Sequence, residues 1–243
     1  MDKELYNKEK FDYYSKNFRE YLNVKFGLQT CSFLEDLASF GEIIIFSGVI
    51  RNFFLKFKGE ERDLDLVFIS KNQNQLINYL NKFNPVLNSF GGYKIALNKV
   101  KLDIWELDKT WALLKNKVTP ELFNIYNLPN TTFFNFSAIV YDYNNKNFII
   151  TPHFIKFLET KEMDLVLKEN PMPALCIVNT IYYKTKYNLN IAKNLKKFYV
   201  DNFFNFKEED YNFIQRKHFS EVIYSYEYLL TYFKMFHNSL YLN

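Results

Sequence analysis

The chain has 243 residues, 48% of them hydrophobic, and a formal net charge of +4. That length suits one large domain or two small ones, and the mildly basic charge permits nucleic acid binding without requiring it. Two distant cysteines, Cys31 and Cys176, match no metal or redox spacing, which predicts reduced, buried thiols in a cytoplasmic protein. The longest apolar runs are far too short to span a bilayer, and the N-terminus lacks an apolar stretch of signal-peptide type, so we expect a soluble protein.

Residues 1–40 predict helical structure, since apolar and aromatic side chains recur there at helical spacing. The pattern then changes to short apolar segments typical of strands, separated by turns and two further helices. The predicted strands are, in chain order, "EIIIF", "LDLVFI", "YKIAL", "KLDIWEL", "FFNFSAIVYDY" and the hairpin return "NNKNFII". A tight connection at Asn98-Lys99 joins the third to the fourth. From Pro152 onward helical patterns dominate, so we predict an α+β fold with a helical segment on each side of the strands.

Two aspartates spaced one residue apart stand at the start of "DLDLVF". Side chains at i and i+2 of a strand point to the same side, so Asp63 and Asp65 project from one sheet face. Close, partly buried carboxylates cost free energy unless a cation compensates them. Because Mg²⁺ prefers one or two carboxylates together with phosphate oxygens and water, the pair predicts a magnesium site. The alternative is a solvated strand end with Arg62 as its ion-pair partner.

A third acid occurs in the later strand "KLDIWEL". If that strand lies beside the first, Asp103 completes a cradle of three carboxylates. Such a cradle suits two metal ions, one activating a hydroxyl and the other holding a triphosphate. Glu106 is the second choice for the third acid, but strand alternation places it on the other face from Asp103.

A turn of small residues precedes the aspartate pair. Ser47 and Gly48 lie where the first predicted strand ends and a helix begins, so backbone N–H groups there can approach an anion closely. Arg51, in the first turn of that helix, can direct a guanidinium fork toward phosphate. The segment alone is also typical of an ordinary strand-to-helix turn, but its conjunction with the acids favours nucleoside triphosphate binding.

Together, "SGVIRN" and "DLD" resemble the DNA-polymerase-β-like nucleotidyltransferase superfamily, and most closely the head and neck of tRNA CCA-adding enzymes and bacterial poly(A) polymerases. The pattern of that family is two small residues, a spacer, a hydrophobic residue and Arg-Asp, followed by Asp-x-Asp. "FFNFSAIVYDYNNKNFI" is similar to a later strand of the head, and "PALCIVNTIYYKTKYNLNI" to the first neck helix. The resemblance covers about residues 41–200. It implies a polymerase-β-like head with a mixed sheet, flanked by N-terminal helices and an all-helical C-terminal region.

The domain organisation predicted on this basis has three parts. Residues 1–40 form an N-terminal helical segment, residues 41–150 the nucleotidyltransferase catalytic domain, and residues 151–243 the helical neck and C-terminal domain.

The chain departs from the family pattern where the nucleotide is recognised. Ser47 replaces the first glycine, and Asn52 replaces the aspartate after the arginine. In the family, certain residues of the later strand and of the neck helix contact the sugar and the nucleotide. Different residue types occupy these positions here, namely Thr132 and Phe133 in the later strand and Val178 and Ile181 in the neck helix. These departures argue against faithful CCA addition. They leave room for deoxynucleotides, because a site without a hydroxyl reader cannot strongly select for that hydroxyl.

The compact size, the reduced set of nucleotide readers and the helical tail are also similar to the synthase of Hailong-type anti-phage defence. That family makes untemplated single-stranded DNA oligomers, mainly from dATP, which act on a membrane effector protein. A tyrosine near its C-terminus serves as primer, and the ending "FHNSLYLN" offers Tyr241 for that role. The alternative is that Tyr241 is a packed or frayed tail residue.

The resemblance therefore implies an Mg²⁺-dependent, template-independent nucleotidyltransferase, with Mn²⁺ as a substitute ion. The three acids would bind two ions, and the turn residues with Arg51 would hold the triphosphate. Expected partners are a nucleoside triphosphate, a single-stranded nucleic acid product, a membrane effector protein and a second copy of the chain. Two alternatives stay open: nucleotidyl transfer to a tRNA or a protein target, as in toxin-type relatives, and a nucleotide-binding module that has lost turnover.

Overall fold

The computed structural model describes residues 8–46, 48–59, 63–88, 91–115, 117 and 124–241. The described residues form two compact units. Unit 1 holds those up to Thr131 together with Ser137–Ile155, and unit 2 holds Thr132–Phe136 and the residues from Lys156 onward. The three-part domain division predicted from the sequence stays a prediction.

Unit 1 consists of a long helix followed by strands and short helices. Its elements are α1 (Lys8–Phe40), β1 (Gly41–Phe46), α2 (Gly48–Phe54), β2 (Asp63–Ser70), α3 (Gln73–Asn81), β3 (Val86–Leu87), β4 (Tyr93–Leu97), β5 (Val100–Glu106), α4 (Trp111–Leu114), β6 (Ile139–Asp142) and β7 (Asn147–Ile150). Gly27 interrupts α1 with φ 76°, a left-handed conformation that glycine adopts without steric cost. The long helix is therefore two helical segments that meet at a kink, in agreement with the helices predicted there.

The seven strands form one mixed sheet in the order β3-β4-β5-β2-β1-β6-β7. Every neighbouring pair of strands in it is antiparallel except β2 and β5, which run parallel. The predicted α+β class with a mixed sheet is confirmed. So is the predicted tight turn at Asn98-Lys99, which joins β4 to β5 and fixes their register.

The two faces of the sheet have different surroundings. The back face, which carries Tyr141, is covered by α1, where the ring of Phe18 lies 4.9 Å from that of Tyr141 and 5.1 Å from that of Phe148. The front face carries a smaller apolar cluster, formed by Ile44, Val67, Leu128, Val140 and Ile149. Since this cluster covers only part of the front face, the start of β2 and the middle of β5 are left for polar side chains.

One predicted strand is shorter than expected. "FFNFSAIVYDY" forms a strand only at Ile139–Asp142, whereas Asn135–Ser137 forms a 3₁₀ turn. The Asn135 side chain donates to the Glu162 carbonyl at 2.9 Å and accepts from the Asp164 amide at 3.0 Å. Such side-chain bonds to the backbone compete with strand pairing, which accounts for the difference.

From Pro152 onward helices dominate, as predicted. The elements are α5 (Pro152–Thr160), β8 (Glu162–Met163), α6 (Pro173–Tyr187), β9 (Asn190–Ile191), α7 (Lys193–Asn202), α8 (Glu208–Phe219) and α9 (Tyr226–Tyr241). β8 and β9 form a separate two-stranded parallel pair. Proline at the first position of α6 and left-handed Asn188 after its end are typical helix boundaries.

Unit 2 is held together by a cluster of aromatic rings around Phe203, which is fully buried. The rings in contact with it, with centroids 5.2 to 5.8 Å away, are those of Tyr199, Phe204, Tyr211, Tyr226 and Phe233. The Tyr211 hydroxyl donates to the Phe203 carbonyl at 2.8 Å, so that its polar end is satisfied inside the core.

Both cysteines are free and buried, as predicted, Cys31 in unit 1 and Cys176 in unit 2. No helix in the described ranges has the length and apolar character needed to cross a bilayer.

Candidate functional site

Asp65 of β2 and Asp103 of β5 are direct partners in the parallel pairing of the two strands. Paired residues of neighbouring strands point to the same face, so the two carboxylates lie side by side on the front face. Lys94 of β4 pairs with Asp103 from the other side, and Phe46 of β1 pairs with Asp65. One row across the sheet therefore runs from Lys94 through the two acids to Phe46, where α2 is about to begin.

Asp63 lies two residues before Asp65 on β2, so its side chain points to the same front face. It is exposed. Its direct partner on β5 is Lys101. Among the described residues, no three acidic, histidine or cysteine side chains already form a metal-binding cluster. The sheet thus places the three predicted acids on one face, and their joint role as metal ligands stays a prediction.

The carboxyl of Asp65 lies in an environment that disfavours its charge. Burial, together with the neighbouring Asp103 and Asp63, raises its pKa from the ordinary 3.8 to about 7, although Arg51 and Lys94 act in the opposite direction. Burial and the two neighbouring acids together therefore outweigh the two cations. A group that supplies more positive charge would stabilise the ionised carboxylate.

Asp103 contains a buried acceptor that is not satisfied. Its Oδ1 atom has no hydrogen-bond partner among the described residues. The Nζ atom of Lys94 lies 3.6 Å from it, which is an ion-pair distance but too long for a hydrogen bond. The Asp103 oxygen without a hydrogen-bond partner lies beside the destabilised carboxylate of Asp65. These carboxylate oxygens are ligands that fit a hard divalent cation such as Mg²⁺.

The residues predicted to hold the triphosphate lie at the Phe46 end of the row. Gly48 is the first residue of α2, and Ser47 lies outside the described residues. Arg51 is buried within α2 and close enough to Asp65 to lower the pKa of its carboxyl. The structure brings Arg51 to the acids, and its contact with phosphate stays a prediction.

If Gly48 holds the triphosphate as predicted, replacing it with alanine is expected to keep the fold and weaken triphosphate binding about tenfold, because the added methyl would occupy the space where a phosphate would approach the backbone. A Cβ at this position would meet nothing nearer than Arg51 Nη2 at 3.7 Å, and the backbone there is not left-handed. The midpoint of urea unfolding should therefore match that of the wild type. The measurement is a nucleotide titration with both proteins, and equal affinities would remove Gly48 from the site.

Glu106, the second choice for the third acid, has a structural role. Its partner on β2 is Phe68, on the back face, so it points away from Asp103 as the alternation predicts. Its carboxylate accepts hydrogen bonds from Gln73 Nε2 at 2.7 and 2.8 Å and from Lys109 Nζ at 2.7 Å. These contacts tie β5 to the start of α3.

The residues that replace the expected nucleotide readers are buried. They are Thr132, Phe133, Val178 and Ile181, all in unit 2. The Thr132 hydroxyl donates to the Phe134 carbonyl, and the ring of Phe133 packs on Phe198. These side chains serve the core of unit 2.

Tyr241, the predicted primer, is the last residue of α9 and is 54% exposed. Its ring contacts that of His237 at 5.1 Å. Lys197 of α7 is also near. The pKa of this lysine is raised mainly by its hydrogen bond to Asp201 and to a smaller extent by a hydrogen bond to the Tyr241 hydroxyl. The tail is therefore helical to Tyr241, and the phenol is reachable from solvent.

Lys94 was not among the predicted site residues, although the sequence contains the signal for it. A two-residue turn at Asn98-Lys99 pairs Leu97 with Val100, and counting back along both strands brings Lys94 opposite Asp103. The predicted turn therefore already implied this pairing.

No family model and no curated protein sequence matches the chain. Solved structures do match. A CCA-adding enzyme in complex with ATP is 14% identical with a TM-score of 0.61, over 89% of this chain and 54% of its own. The Thermotoga maritima CCA-adding enzyme complexed with tRNA is 15% identical with a TM-score of 0.55, over 81% and 47%. A tRNA nucleotidyltransferase with a primer tRNA and an incoming ATP analog is 13% identical with a TM-score of 0.57, over 82% and 59%.

The predicted resemblance to CCA-adding enzymes is thus confirmed for the fold. The chain spans about half the length of the solved structures that it matches. Because one fold can support different activities, the function has to be argued from the site.

Proposed function

We propose that the chain is a divalent-metal-dependent nucleotidyltransferase that adds nucleotides without a template to a growing single strand. The observation that carries the proposal is the pairing of Asp65 with Asp103 on adjacent parallel strands, next to Arg51. A half-buried, destabilised carboxylate beside a carboxylate oxygen without a hydrogen-bond partner is costly for the fold, and metal binding would account for that cost.

In this proposal Asp65 and Asp103 hold Mg²⁺ or Mn²⁺, and Asp63 adds a third carboxylate from the same face. The bound ion would neutralise phosphate charge and lower the pKa of the attacking hydroxyl. Arg51 and the backbone at Gly48 orient the triphosphate. The acceptor oxygen forms a bond to the α-phosphorus, the bond from that phosphorus to the bridging oxygen breaks, and pyrophosphate leaves while the hydroxyl proton passes to water.

The finer proposal is that the substrate is a deoxynucleotide, dATP above all, and that the product acts in anti-phage defence on a membrane effector protein. Its support is that the positions of the expected sugar readers are buried and cannot select for a 2′-hydroxyl. The exposed phenol of Tyr241 would provide the first acceptor hydroxyl.

A second candidate is transfer of a nucleotide to tRNA. Its support is that two of the matching structures contain tRNA, one of them with an incoming ATP analog as well. A protein acceptor and a nucleotide-binding module without turnover are the remaining alternatives.

We expect the purified protein to give a ladder of labelled oligonucleotides on a denaturing gel when it is incubated with labelled dATP and Mg²⁺. Asp103→Asn should reduce the product about a thousandfold, because one of the ligand carboxylates is lost. Label that appears only on added tRNA or protein would support transfer to those acceptors. The absence of any label with all eight common NTPs and dNTPs would contradict the proposal.

Priming is tested separately by Tyr241→Phe, which removes only the hydroxyl. The matched control is Tyr228→Phe, another exposed tyrosine of α9. If Tyr241 is the primer, label that remains bound to the protein should disappear in the first variant and persist in the second.

A further inference from the structure

Among the residues that the structure describes, Lys94 is the cation nearest to the buried oxygen of Asp103. The two residues are direct partners in the antiparallel pairing of β4 and β5, and Nζ lies 3.6 Å from Oδ1. The lysine side chain is 58% exposed, whereas that of Asp103 is 21% exposed. The ammonium therefore approaches from solvent toward an oxygen that has no other partner in the described part of the chain.

The contact is electrostatic and loose. At 3.6 Å no hydrogen bond holds the ammonium in place, and exposed lysines form weak ion pairs because water screens them. The influence of Lys94 nevertheless extends beyond Asp103, because it also lowers the pKa of Asp65 in the next strand. Lys94 thus partly neutralises both carboxylates.

A lysine in this position has two opposite effects on a metal site. Without a metal it reduces the repulsion between the carboxylates and so favours the folded state. With a metal, its positive charge would lie close to that of the bound cation and would oppose binding.

We propose that Lys94 is a built-in counterion of the acidic pair, whose positive charge opposes the binding of a divalent cation there. This inference rests on the proposed function, because it assumes that Asp103 is a metal ligand. Lys94 is then a positioning residue that sets the metal concentration at which the site fills, and it stabilises the empty site.

The test is a calorimetric titration of the full chain with Mn²⁺ alone. Lys94→Gln keeps much of the side-chain length and removes the charge, so we expect it to bind Mn²⁺ about three- to tenfold more tightly than the wild type. Lys94→Arg, which keeps the charge, should bind like the wild type. Lys99→Gln changes the net charge equally from the exposed β4–β5 turn and should also bind like the wild type.

A second readout does not depend on the absolute affinity. In chelator, Lys94→Gln should unfold at a lower temperature than the wild type and Lys99→Gln, because the acids lose their counterion. Saturating Mn²⁺ should then raise its melting temperature by more than it raises that of the wild type.

Mn²⁺ affinity in Lys94→Gln that is equal to or weaker than in the wild type would overturn the inference. If Asp103→Asn weakens Mn²⁺ binding in the same series, the proposed metal site survives and only the role of Lys94 is lost. If Asp103→Asn binds Mn²⁺ as the wild type does, the metal site itself is wrong and the role of Lys94 falls with it.

Discussion

Replacing Asp65 by asparagine is expected to abolish nucleotidyl transfer and, at the same time, to stabilise the metal-free protein above pH 7. The loss of activity should be about a thousandfold or more, since the substitution removes a carboxylate from the proposed metal site. The gain in stability follows because a neutral amide cannot repel Asp103. The amide N–H group can also donate a hydrogen bond to the Asp103 carboxylate, which lies beside it on β5.

The pH dependence of this gain follows from the raised pKa. Below about pH 4 the Asp65 carboxyl is protonated in the folded and the unfolded chain, and it contributes no penalty. Between about pH 4 and pH 7 only the unfolded chain ionises, so the free energy of unfolding falls as the pH rises. Above pH 7 the full penalty is present, with an upper limit of about 4 kcal/mol at 1.4 kcal/mol per pKa unit.

The measurement is urea unfolding in chelator at pH 4.5 and pH 8. Asp65→Asn should exceed the wild type by about 2 to 4 kcal/mol at pH 8 and by much less at pH 4.5. Asp63→Asn is the matched control, because it makes the same charge change on the same strand and face at an exposed position. A destabilised Asp65→Asn protein at pH 8 would mean that the Asp65 carboxylate is already compensated.

Replacing Phe203 by alanine is expected to destabilise unit 2 by about 4 kcal/mol. The ring is fully buried and contacts five other aromatic rings, so its removal leaves a cavity whose walls are large and cannot close it. Phe204→Ala, at the adjacent position, is the matched control. Its ring is 65% exposed and should cost about 1 kcal/mol or less.

The two units can be followed separately in this experiment. Both tryptophans, Trp105 and Trp111, belong to unit 1, so their fluorescence reports that unit alone. Helical circular dichroism also includes unit 2. In Phe203→Ala the dichroism should begin to fall at lower urea concentration while the tryptophan transition stays near its wild-type position. Equal unfolding curves for Phe203→Ala and Phe204→Ala would refute the assigned core.

Much of the fold could be predicted because its signals are local. The alternation in "DLDLVF" gives the face of each carboxylate, and the turn at Asn98-Lys99 gives the register of β4 on β5. The parallel pairing of β2 with β5 is different, because the two strands are separated in sequence by α3 and the β3–β4 segment. The sequence permits this pairing without requiring it, and only the structure brings Asp65 beside Asp103.

The site was less predictable where a residue's role depends on distant neighbours. The aromatic run at Phe133–Phe134 has strand propensity, but Asn135 bonds to the backbone at Glu162 and Asp164, far along the chain. Similarly, Lys94 has the appearance of an ordinary solvent-facing strand residue until its partner is known to be a member of the acidic pair. A hydrophobic pattern predicts the face of the sheet to which a side chain points, but it does not predict the charge of the residue on the neighbouring strand.

The placement of the two buried thiols has a practical consequence. Burial raises the pKa of both Cys31 and Cys176, so neither forms the reactive thiolate readily in the folded chain. Because each unit contains one of them, the rate at which each sulfur is alkylated measures how often its own part of the molecule opens. Mass spectrometry of the two alkylated peptides would therefore give a separate opening free energy for each half of the chain, without the introduction of a new cysteine.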